Sequence, residues 1–179
     1  MSSGLPFMRR IISETQTLEV KVRMKTSTKF QHPFLAGMDP KNREIFLHGA
    51  EEKNFAAGEV IFREGEPANA LFLIQSGEVA LESRSTGNTT LIQTLGDGDV
   101  LGWSWLFPPF YWHFQARATQ PTRAICCDGG HLLVQAEEHP EFGYDVMRRI
   151  TQIVIQRLQT TRKQLVRQES LIHEACAAR

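Results

Sequence analysis

Between Phe55 and Ala118 the apolar positions fall in short runs, each closed by Gly, Pro, Asn or Asp, as in GEVIFREGE, ALFLIQSG and TTLIQTLGDGD. Runs of this length between turn formers predict β-strands over Val60–Phe62, Ala70–Gln75, Glu78–Ser83, Thr89–Leu95 and Val100–Leu101. Ser76-Gly77 and Thr86-Gly87-Asn88 supply turns, since glycine takes positive φ at little cost. Trp112–Ala118 and Arg123–Cys127 complete a small all-β barrel. Upstream, residues 1–16 are expected to be flexible. Leu18, Val20, Val22 and Met24 then alternate with Glu19, Lys21, Arg23 and Lys25. Period two predicts a half-buried strand, which either pads the barrel or serves as an added edge strand or partner-binding arm.

Helical periodicity flanks the strands. Phe34 to Ala50 reads as a helix with Asp39 at the N-cap, Pro40 at the first helical position and Ile45, Phe46 and Leu47 on the apolar face. Gly130–Glu138 predicts a short helix before Pro140. From Glu141 one long helix follows, in which Met147, Ile150, Val154, Leu158, Thr161, Leu165, Gln168 and Ile172 recur at alternating intervals of three and four. That is heptad spacing, a seam two helices can share, and it predicts a parallel homodimer through Met147, Ile150, Val154, Leu158 and Leu165. The expected organisation is an arm over 1–30, a β domain with short helices over 31–140, and a dimerisation helix over 141–179.

Composition removes several function classes. Twenty basic residues balance twenty acidic ones, so no global field draws the chain to nucleic acid or to an anionic membrane. Cys126, Cys127 and Cys176 are an odd number without framework spacing, which suits a reducing cytoplasm. No apolar run has transmembrane length, and no signal sequence follows Arg9 and Arg10. Gly96-Asp97-Gly98-Asp99 is a turn and not a calcium loop, because the closing Glu of such a loop is Pro108 here. His113 and His131 lack zinc spacing to the thiols. No nucleophile elbow or phosphate-cradling glycine loop is present, so neither metal, cofactor nor enzymatic activity is expected.

The ordered motifs carry a resemblance. G-x-x-I-F-x-x-G-E from Gly58, L-F-L-I-x-x-G-x-V-A-L from Leu71, Gly98-Asp99, Leu101-Gly102 and Ala116-Arg117-Ala118 together resemble the cyclic-nucleotide-binding domain of the CRP/FNR type, over roughly residues 34–170. The resemblance implies a mainly β fold with flanking helices: a double-stranded β-helix, a jelly-roll or cupin-like β-roll, plus a long C-terminal helix. It also implies a phosphate-binding cassette over Gly102–Phe114, in which a Glu after the glycine accepts the ribose hydroxyl and an Arg before the A-R-A strand pairs with the phosphate. Here Trp103 stands at the Glu position and Trp112 at the Arg position, followed by His113. By the same alignment Thr161 and Arg162 of the long helix would face the ligand.

Hydrogen bonds to charged groups are worth about 1.5–3 kcal/mol each, so losing both groups lowers affinity for cAMP or cGMP by about two to four decades. The expected ligand pocket is Gly102, Trp103, Ser104, Trp105, Trp112, His113, Thr161 and Arg162. Its tryptophans either form an aromatic box for a planar, apolar or cationic ligand or plug the vacated space. The reading is a non-enzymatic cytoplasmic sensor or regulator with a divergent pocket for a nucleotide-like or aromatic small molecule, binding cAMP and cGMP weakly or not at all. Two alternatives stand beside it: a genuine cyclic-nucleotide receptor using backbone amides and Arg162, and a ligandless scaffold recruiting a protein partner. The long helix runs to the end of the sequence, so no helix-turn-helix and no DNA contact are expected.

Overall fold

A computed structural model describes residues 30–85 and 88–177. The predicted arm strand Leu18–Met24 lies outside the described residues. The chain divides into two compact units, Met1–Gln135 and Ala136–Arg179. Strands β1 (Glu51–Phe55), β2 (Val60–Phe62), β3 (Ala70–Ser76), β4 (Val79–Ser85), β5 (Asn88–Leu95), β6 (Val100–Leu101), β7 (Gln115–Ala118) and β8 (Thr122–Asp128) belong to the first. They form two antiparallel four-stranded sheets, ordered β1-β8-β3-β6 and β2-β7-β4-β5. This is the expected β-roll. Leu71, Leu73 and Ile74 of β3 are completely buried, which is why that strand reads as a continuous apolar run without alternation.

The predicted helix over 34–50 is two elements. Pro33–Leu35 is a 3-10 turn capped by His32, and α1 (Pro40–Phe46) starts at the expected cap, where Asp39 accepts the Lys41 N–H. Gly37 lies between them at φ 65°, a left-handed conformation that a continuous helix cannot contain. Strand β1 was not expected from its sequence: Glu51, Glu52 and Lys53 are exposed and charged, and its place comes from pairing with β8, Glu52 opposite Ile125. The strand expected from Trp112 begins only at Gln115.

Helix α2 (Gly129–Glu138) follows β8, and the long helix α3 runs Pro140–Ala177. Within the second unit, α3 passes Ala136 closely enough that a Cβ on Gly143 would stand 2.9 Å from the Ala136 carbonyl oxygen. Phe142, Val146 and Ile150 form a buried stripe at four-residue spacing, whereas Ile155, Leu158, Leu165 and Val166 are exposed. No described helix is long and apolar enough to cross a membrane.

Candidate functional site

The segment between β6 and β7 is organised by its backbone first. Gly102 sits at φ 85°. A Cβ there would stand 2.9 Å from the Ala70 carbonyl oxygen and 3.0 Å from Trp112 Cη2, so only glycine admits both neighbours. Trp112 is held at both backbone groups: its N–H donates to the Glu66 carbonyl and its carbonyl accepts the Gly65 N–H, each at 2.9 Å. The Ala68 N–H also donates to the Phe110 carbonyl, at 2.7 Å. This strap fixes the direction of the Trp112 side chain.

That direction is inward. Trp112 is 4% exposed and stacks on Phe62, with ring centroids 3.9 Å apart and planes at 14°. Phe62 packs in turn on Phe72 and Phe72 on Phe55, both at 6.1 Å. Four aromatic rings therefore run as one column, and Trp112 is its end. Trp105 is also buried and lies against the start of α2, where a Cβ on Gly129 would be 2.7 Å from Trp105 Cγ. Its indole Nε1 is buried without a hydrogen-bond partner. Trp103 is half-buried ahead of the 3-10 turn Ser104–Leu106. Ser104 Oγ and His113 Nδ1 are 3.3 Å apart, and His113 is exposed. Phe107, Phe110, Tyr111 and Phe114 show between 37% and 48% of their surface.

A polar group missing from the sequence reading lies on the other side of β7. Glu82, 5% exposed, stands opposite Gln115, accepts its side-chain N–H at 3.1 Å and pairs with the Arg117 guanidinium. The Arg63 guanidinium donates to Gln115 Oε1 at 3.5 Å. The available signal was the alternation Gln115, Ala116, Arg117, Ala118, which puts both polar residues on one face.

The structure thus brings Gly102, Trp103, Ser104, Trp105, Trp112 and His113 into one segment of the first unit. Thr161 and Arg162 are exposed on α3 in the second. Of the seam residues, Met147, Leu158 and Leu165 are exposed, Val154 is half-buried, and Ile150 is 1% exposed and already enclosed within the chain. Among the described residues no group of three or more His, Cys, Asp and Glu could hold a metal ion. Burial raises the Cys126 thiol and pushes that of Cys127 far above its ordinary range.

Residues 52–139, which include the whole segment, match the family model described as cyclic nucleotide-binding domain. The β-roll is a cyclic nucleotide-binding domain. Over 130 residues the chain is 26% identical to a CRP-like cAMP-activated global transcriptional regulator of Mycobacterium tuberculosis, covering 72% of this chain and 56% of that protein. The chain thus spans about half the length of that relative. A cyclic nucleotide-binding protein from Geobacter metallireducens has the same fold with a TM-score of 0.65 and 28% identity, over 77% of this chain and 96% of that one. The regulatory subunit of a cAMP-independent protein kinase A from Trypanosoma cruzi, solved bound to guanosine, shares the fold with a TM-score of 0.56 at 20% identity, covering 68% and 50%. Within the matched residues the segment after Gly102 carries all three tryptophans, Trp103, Trp105 and Trp112.

Proposed function

We propose that the chain is a non-enzymatic regulatory module whose nucleotide cassette has become part of its own core, so that cAMP and cGMP bind weakly or not at all. One observation carries this reading: Trp112, at the position of the phosphate-pairing Arg, is buried in a stack on Phe62 and closes against Gly102. A ring there supplies no countercharge to a phosphate, and moving it aside breaks the end of the aromatic column. Signalling then runs through association. The exposed Met147, Leu158 and Leu165, with half-buried Val154, form the seam of a parallel homodimer, to which the enclosed Ile150 contributes rigidity instead of contact.

A second reading is favoured by Trp105 Nε1, a buried donor with nothing to receive it. A neutral ligand with a carbonyl or ring-nitrogen acceptor would satisfy it without needing an Arg. A nucleoside without a phosphate is a ligand of this kind, and guanosine is the one bound in the Trypanosoma cruzi protein.

Calorimetric titration with cAMP, cGMP and guanosine, with fluorescence in parallel, tests both readings, because Trp103, Trp105 and Trp112 are the only tryptophans. No saturable heat from either cyclic nucleotide up to millimolar concentration is expected. Micromolar saturation by cAMP would overturn the plugged cassette, and saturation by guanosine alone would select the second reading. As a positive control, Trp103→Glu with Trp112→Arg is expected to gain cAMP affinity.

A further inference from the structure

Among the described residues the two sheets have four edge strands, and three of them are guarded against pairing with another chain. β6 has two residues, β2 has three, and β1 carries exposed Glu51, Glu52 and Lys53. Short length and charge are the usual protections of an edge. β5 has neither. It is eight residues long, Asn-Thr-Thr-Leu-Ile-Gln-Thr-Leu, without a charge or a proline. Among the described residues it pairs on one side only, with β4. Asn88 to Ile92 are exposed, Leu91 by 59% and Ile92 by 45%. The register shift between Leu81 and Glu82 leaves Ile92 as the extra residue of a bulge, so the regular stretch of the edge is Asn88–Leu91.

We propose that this edge pairs with the same edge of a second copy, antiparallel, joining the two sheets that contain β5. The occupant follows from charge. In a two-fold antiparallel pair each side chain meets one from its own short list, here Asn, Thr, Thr and Leu. No like charges come together, while β-branched and apolar neighbours support each other across the strands. A partner of different sequence would find no charge on β5 by which to be selected. Four to eight residues of edge bury less than the roughly 800 Å² per partner of a standard interface, so the contact is weak and concentration-dependent. Its residues belong neither to the segment after Gly102 nor to the predicted seam of α3.

Hydrogen exchange of the Asn88–Leu95 amides in the full chain, followed against protein concentration, reads this contact directly. Exchange is expected to slow by about tenfold between dilute and concentrated protein, equivalent to about 1.4 kcal/mol. The double variant Thr90→Lys, Leu91→Lys, placed at exposed positions, sets lysines beside lysines and should lose that dependence. An equimolar mixture with Thr90→Glu, Leu91→Glu should restore it. A dimer that forms without this protection of the β5 amides would overturn the proposal. So would a mixture that restores nothing, or full protection in dilute, monomeric protein, which would assign the edge to another segment of the same chain.

Discussion

The two faces of β7 handle burial in opposite ways. On one, Gln115 and Arg117 converge on Glu82, and the carboxylate is enclosed because it has partners. On the other, Ala116 stands opposite Phe62, whose ring carries Trp112. Burying a charge requires a partner held in the right geometry, whereas burying a ring requires only shape. The charged face therefore has a polar network of its own. On the cassette face Trp112 needs no partner beyond the ring it stacks on. The polar contacts that order β4 against β7 lie outside the segment that carries Trp112.

The largest effect is expected from Trp112→Ala. The strap through Glu66 and Gly65 holds the backbone in place, so the vacated space cannot collapse, and the loss should be about 3–5 kcal/mol in denaturant unfolding. A loss under about 1 kcal/mol would show that the ring is a movable lid and break the comparison. Glu82→Gln should cost less, about 1–2 kcal/mol, since the amide still accepts from Gln115 and the Arg117 side chain, 42% exposed, keeps part of its hydration. If the Glu82 variant proved the more damaging of the two, the polar face and not the aromatic column would be the stabilising one.

Much of this was legible in the sequence, and the limits have physical causes. β2, β6 and nearly all of β3 follow from apolar runs between turn formers. β1 does not, because Glu51, Glu52 and Lys53 have no β preference of their own and the strand exists through its partner β8. The stretch 34–50 reads as one helix in sequence because periodicity does not reveal a left-handed residue at Gly37. In the segment after Gly102, the clustering of all three tryptophans is visible in the sequence. Which rings face inward is not, since that depends on a backbone strap from residues 65–68. The Glu82 pair was missed because sequence shows alternation along one strand but not the register between two.

The smallest expected effect separates fold stability from both faces of β7. His32 is a buried polar group in neither of them. Its Nδ1 accepts the Phe34 N–H and its Nε2 donates to the Ile74 carbonyl, both at 3.1 Å, which fixes the neutral tautomer. Burial lowers its pKa from the ordinary 6.5, outweighing the backbone carbonyls of Ile74 and Asp99 and the Asp99 charge, which act the other way. A lowered pKa means that the unfolded chain binds the proton more readily. The contribution is therefore complete above about pH 6.5 and declines as the pH falls through that value towards the folded pKa. Unfolding free energies measured from neutral to mildly acidic pH should show this decline equally in wild type and in Trp112→Ala, because no ring of the aromatic column titrates. His32→Gln, which retains an acceptor and a donor, should flatten it. If the decline were instead to vanish with Trp112→Ala, the aromatic column and the His32 clamp would be coupled. The cassette face could then no longer be treated as a separate, purely apolar part of the core.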